Sequence, residues 1–128
     1  MSHIFGENQA FNGSLANWNV SKVTDFTNLF LNATSFNQRL ATWTLNTTTA
    51  VTMHQMFYGA TSFNGSLANW NVSRVNNFSG MFFNATSFNQ DLSTWITTGM
   101  SGNMQLMFGA ASAFNGNISN WNTSNITN

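Results

Sequence analysis

Residues Leu15 to Gln38 read Leu-Ala-Asn-Trp-Asn-Val-Ser-Lys-Val-Thr-Asp-Phe-Thr-Asn-Leu-Phe-Leu-Asn-Ala-Thr-Ser-Phe-Asn-Gln. The rest of the chain is built from variants of this stretch. A Phe-Asn pair recurs at Phe11-Asn12, Phe36-Asn37, Phe63-Asn64, Phe88-Asn89 and Phe114-Asn115. Each pair is followed at fixed offsets by Leu15, Leu40, Leu67, Leu92 or Ile118, and then by Trp18, Trp43, Trp70, Trp95 or Trp121. The tryptophans are spaced 25, 27, 25 and 26 residues apart. Small insertions are thus absorbed just after the Trp, which reads as a loop. Self-similarity at a fixed period of this length marks a tandem-repeat array. Five units follow, about 1-25, 26-52, 53-77, 78-103 and 104-128, in a single domain.

Two periodicities lie within each unit. Leu15-x-x-Trp18-x-Val20 ends in a period of two, which predicts a short strand with Trp18 and Val20 inward and Asn17, Asn19 and Ser21 outward. Apolar residues then stand at Phe26, Met53, Phe78 and Met104, and again three and four positions later at Leu29-Phe30, Met56-Phe57, Met81-Phe82 and Met107-Phe108. Spacing of three and four predicts a helical turn. The expected fold class is a repeat solenoid with one short strand and one short helical turn per unit, the strands stacked in parallel and no evident caps. A unit this small cannot bury its apolar face alone, so neighbours must bury one another, with the tryptophans as a core ladder.

Composition narrows the function. Only 5% of residues are charged while 42% are hydrophobic, and the formal net charge is zero. Lys22, Arg39 and Arg74 are the only strong cations, too few and too scattered for a phosphate-binding patch, so neither nucleic acid nor an anionic membrane is an expected partner. With no cysteine there are no disulfides or thiolate metal sites. No apolar run approaches the roughly 20 residues that span a bilayer, and Met1 to Phe5 show neither a basic start nor a hydrophobic stretch.

The first residues fall in register with the repeat: Met1-Ser2-His3-Ile4-Phe5 superposes on Met53-His54-Gln55-Met56-Phe57. Ile126-Thr127-Asn128 matches Val75-Asn76-Asn77, so a residue equivalent to Met1 would come next. Neither end reads as the polar cap that usually closes such an array. Two expectations follow: a segment of a longer array, or subunits stacking head to tail into a filament.

The landmarks from Leu15 to Gln38, with their Phe-Asn, Trp and Met-Phe positions, resemble the BspA-like leucine-rich repeats, and in particular the mycoplasma-type variant of microbial surface lipoproteins. The resemblance covers essentially the whole chain. It implies a leucine-rich-repeat-like solenoid and a role at the cell surface in adhesion or in an extracellular layer, and it brings no catalytic residues. The chain departs from that pattern after the Trp, where Asn19, Thr44, Asn71, Ile96 and Asn122 stand in place of acidic residues.

Eleven Asn-x-Ser/Thr sequons occur. Asn12 and Asn64 belong to a column that is Asn in every unit, together with Asn37, Asn89 and Asn115, which lack the sequon. That column reads as a structural ladder of amides satisfying turn backbone between units. Asn32 and Asn84 share a column with Gly59, which predicts an exposed turn with positive φ and a candidate glycan site. Asn19, Asn71 and Asn122, on the outward strand face, are the next glycan candidates. His3 and His54 share a repeat position but alternate with Thr27 and Ser79, so they read as solvent-facing rather than as a metal ladder. Asp25, Asp91 and Glu7 stand in unrelated columns, and no catalytic pair or triad can be assembled from them.

The expected function is therefore non-enzymatic: an extracellular or cell-surface structural protein, stacked into a rod or filament, glycosylated, and serving adhesion or a matrix. Its expected partners are further copies of itself, covalent glycans and a host or matrix glycoprotein; no metal or cofactor is expected. The alternative is a carbohydrate- or ice-binding module using the alternating Asn and Thr rungs of the strand face.

Overall fold

The computed structural model describes all 128 residues and overturns the expected fold class. It contains no helix, and only two short strands, β1 (Val51–Thr52) and β2 (Val75–Asn77). These pair in parallel, Val51 with Val75 and Thr52 with Asn77, with a break in register between the two pairs. A leucine-rich-repeat-like solenoid with a strand and a helical turn in every unit is thus not what the chain forms. The stretch from Leu15 to Val20, expected as a strand, has no strand residues, and Trp18 is 41% exposed instead of inward.

The absence of helix has a clear cause in the segment from Met53 to Ala60. In an α-helix each N–H reaches the carbonyl four residues back. Here the amides divide into two alternating sets. Those of Met53, Gln55, Phe57 and Gly59 donate to the carbonyls of Asn77, Ser79, Met81 and Phe83 in the next unit. Those of Met56, Tyr58 and Ala60 reach back three residues, to Met53, Gln55 and Phe57. Left-handed residues make this division possible, Gln55 at φ 51° and Gly59 at φ 66°. The same pair recurs four residues apart in every unit: His3 and Glu7, Asn28 and Asn32, Gly80 and Asn84, Leu106 and Ala110. Tight turns around these positions bring Met53, Met56, Phe57 and Ala60 to the interior at the spacing a helix would give.

Hydrogen bonding consequently runs between units more than within elements. Of 60 backbone hydrogen bonds, one lies within the two-stranded sheet; turns and unit-to-unit contacts supply the others. Single parallel bridges at Asp25–Thr52, Asn77–Asn103 and Gly102–Ile126 continue the line of β1 and β2 toward both ends.

The interior is organised by aromatic columns. Within each unit two phenylalanines stack at 4.0 to 4.1 Å, as in Phe5–Phe11, Phe30–Phe36 and Phe57–Phe63. Between units the rings continue at 5.3 to 5.7 Å, through Phe30–Phe57, Phe57–Phe82 and Phe36–Phe63. Leu, Val and Met side chains fill the space between these rings and the tryptophans, so one contiguous core of 29 buried residues runs from Leu15 to Met107. No helix of the chain is long and apolar enough to cross a membrane.

Candidate functional site

Two polar ladders tie the units together beside the apolar columns. Asn12 Oδ1 accepts from the Asn37 amide at 2.9 Å, Asn37 Oδ1 from Asn64 at 2.8 Å, Asn64 Oδ1 from Asn89 at 2.9 Å, and Asn89 Oδ1 from Asn115 at 2.7 Å. Gln38 and Gln90 each add a side-chain donor to the same oxygens of Asn12 and Asn64. A turn amide that would face the adjacent unit unpaired is satisfied by a side chain one unit earlier, which is why this column is Asn whether or not a sequon follows.

The tryptophans form the second ladder. Trp43, Trp70, Trp95 and Trp121 donate their indole N–H groups to the carbonyls of Leu15, Leu40, Leu67 and Leu92, one unit earlier, at 2.9 to 3.2 Å. Their rings stack at 5.4 to 6.3 Å. Trp18 stands apart: it leans on Phe5 at 5.6 Å with its ring tilted 47°, and its indole N–H has no acceptor in the chain.

The glycan candidates divide by environment. Asn84 is exposed at φ 55°. Asn32, at φ 51°, is half-buried, and its amide donates to Glu7 at 3.1 Å. Asn19, Asn71 and Asn122 each turn Oδ1 onto the amide of the serine two residues on, Ser21, Ser73 and Ser124, at 3.1 Å. Asn19 and Asn122 are exposed and Asn71 is half-buried. The outward face of amides and hydroxyls is not a uniform row, since Thr94 and Thr97 hydroxyls accept from the amides of Asn69 and Asn122, and Thr42 donates to the Ala16 carbonyl.

The titratable groups are dispersed. His3 meets Asn28 at 2.7 Å and His54 meets Ser79 at 2.7 Å, each a contact to the next unit. No group of three or more His, Asp or Glu residues comes together. Asp25 accepts the Thr27 amide at 2.8 Å, and this bond, with a smaller contribution from the nearby terminal ammonium, holds its carboxyl below the ordinary aspartate value. Asp91 is lowered in the same way by the hydroxyl and amide of Ser93.

Two features escaped the reading of the sequence. One is a shallow concavity of about 440 Å³ beside His54, Tyr58, Ser79, Phe83 and Gln105, where Tyr58 and Phe83 stack at 4.8 Å on the outside of the structure. Their column, Leu31, Tyr58 and Phe83 directly after the Met-Phe positions, was the available signal. The other is a second left-handed position four residues before the positive-φ column expected at Asn32, Gly59 and Asn84; Asn28 and Gly80 signalled it.

The model of the family described as "Mycoplasma protein of unknown function, DUF285" matches residues 1–52 and 44–128. No curated protein and no solved structure matches the chain.

Proposed function

The chain belongs to the DUF285 family, and from that premise we propose that it is a non-enzymatic structural protein of the cell surface, built to be stacked copy on copy into a rod or filament. The observation that carries this reading is the continuity of its columns. The Phe and Asn columns pass through all five units with the same contacts, and the Trp column through the last four. Such an arrangement commits the interior to cohesion along one axis and leaves the lateral face as a regular, nearly uncharged surface. The resemblance of the repeat landmarks to BspA-like repeats of microbial surface proteins supports an extracellular site and a role in adhesion or in a matrix layer.

Glycans belong to the same proposal where the chain passes through a pathway that glycosylates sequons. Asn84 is the preferred acceptor, because it is exposed and its side chain is free, whereas Asn32 is engaged by Glu7. A sugar coat would also supply the hydration that so few charges cannot.

The test is direct. Purified polypeptide at rising concentration is imaged by electron microscopy, and native material is weighed by intact mass spectrometry. Unbranched filaments one molecule wide are expected, with mass increments of whole glycans mapping to Asn84 before Asn32. Discrete monomers at millimolar concentration would reject the structural reading.

A further inference from the structure

The concavity beside Tyr58 has a simple origin in the register of the repeat. After Met53 in the third unit stand His54 and Gln55, and after Met104 in the fifth stand Gln105 and Leu106; the fourth unit has only Ser79 and Gly80 in the same place after Phe78. Two pairs of long side chains thus flank a serine and a glycine, and the space between them is the notch of about 440 Å³. It lies on the lateral face, centred on the fourth unit with a unit on each side, so it does not depend on what adjoins the first unit or the last.

One wall is apolar. Tyr58 and Phe83 stack there at 4.8 Å, both half-buried, and Phe83 is seated against the bare backbone of Gly109, where a Cβ would come within 2.6 Å of its ring. These rings are held in place without any ligand.

The remaining lining is polar, and its donors and acceptors can be assigned. Asn77 Oδ1 accepts the Ser79 amide at 3.0 Å, which identifies it as the oxygen of that side chain. The Ser79 hydroxyl, 2.7 Å from the same oxygen, gives it its one proton. Ser79 Oγ therefore accepts from His54 Nδ1–H, 2.7 Å away, and the neutral imidazole keeps Nε2 as an unused acceptor. The side-chain amides of Gln55 and Gln105 also line the notch and bond to nothing else in the chain.

The lining decides the class of ligand. No Lys, Arg, Asp or Glu takes part, so a charged group would lose its hydration without gaining a counter-charge. A wholly apolar ligand would bury the amides and the imidazole nitrogen unpaired. What fits is an uncharged molecule with one apolar face and several hydroxyls, and a concavity of this volume is in the usual range for small-ligand sites. We propose that the notch binds a neutral pyranose saccharide, the C–H face of one sugar ring packing against Tyr58 and Phe83 while its hydroxyls donate to His54 Nε2 and exchange hydrogen bonds with the Gln55 and Gln105 amides. The site adds a ligand to the lateral surface and is independent of whether copies of the chain stack.

Tyr58 is the only tyrosine of the chain, so its ring signals in nuclear magnetic resonance report on this wall alone. The full chain, made without glycans and kept dilute enough to be monomeric, is titrated with maltotetraose, cellotetraose, triacetylchitotriose and lacto-N-tetraose, and with tetragalacturonate as the charged counterpart. At least one neutral oligosaccharide is expected to move the Tyr58 signals saturably, with a Kd of about 1 mM or tighter. Gly80→Asn puts a side chain into the notch with a residue that the same column already holds at φ 55°, at Asn28, and it is expected to weaken that binding about tenfold or more with melting little changed. Gln105→Ala, at an exposed side chain with no bond in the chain, is expected to weaken it about threefold to tenfold. Tyr58 signals that stay still with every neutral oligosaccharide up to about 10 mM overturn the proposal. So does a response that survives both substitutions, or one that is stronger for tetragalacturonate; none of these results bears on filament formation.

Discussion

At the scale of single residues, the tryptophan column sets a buried indole against an exposed one. Trp70 is fully buried, stacked between Trp43 and Trp95, with its indole N–H on the Leu40 carbonyl. Trp70→Phe removes that bond and leaves a void, so chemical denaturation should show a loss of about 2–4 kcal/mol. Trp18→Phe in the dilute monomer should stay within about 0.5 kcal/mol of the parent, because the exposed indole has no partner to lose. Asp25 governs the acid side of the stability profile. Its carboxyl is lowered in the folded chain by the Thr27 amide, so its stabilising effect is present above the ordinary aspartate range and is lost as pH falls through the folded value. Urea midpoints should therefore drop on acidification below about pH 4, and Asp25→Asn should flatten part of that drop.

At the scale of elements, the left-handed turn replaces both the strand and the helix that a repeat of this length usually carries. Each unit places at least two residues in the left-handed region, and where these are not Gly or Asn the backbone is strained. Ala110, exposed at φ 54°, is a clean place to relieve it. Ala110→Gly should raise the unfolding free energy by about 0.5–1 kcal/mol, against the usual loss from a Gly substitution, and thermal melting would show it. The loop after Trp43, where the repeat takes up extra residues, is closed by Asn46, whose Oδ1 accepts the Thr48 and Thr49 amides at 2.9 and 3.0 Å. That buried role makes Asn46 the sequon least able to carry a sugar.

At the scale of the whole molecule, cohesion is apolar and hydrogen-bonded, with three cations and three carboxylates in all. Screening has little to act on, so the denaturation midpoint should move by less than about 0.5 kcal/mol equivalent between 0.05 and 1 M sodium chloride. A large salt effect on folding would show that the dispersed charges matter more than their positions suggest. The proposed assembly should respond differently: sodium sulfate, which strengthens apolar burial, should lower the concentration at which the proposed filaments form.

The repeat, its period and the identity of its columns were legible in the sequence, because five copies of one pattern record which positions face inward. Phe36, Leu40, Trp43 and Met56 could be placed in a common interior from their recurrence alone. The Asn column could be set apart from the sequons by its persistence at Asn37, Asn89 and Asn115. What spacing could not decide was the backbone that carries those side chains. Apolar residues three and four apart satisfy a helix and also a pair of left-handed turns, and the difference lies in whether amides such as those of Gln55 and Phe57 bond within the segment or across to the next unit. That choice is made by the neighbouring unit, whose carbonyls stand within reach only once the stack exists. For the same reason Trp18 reads like its four counterparts in sequence yet ends exposed: its acceptor would lie one unit earlier, and position in the stack, not residue type, determines whether that acceptor is there.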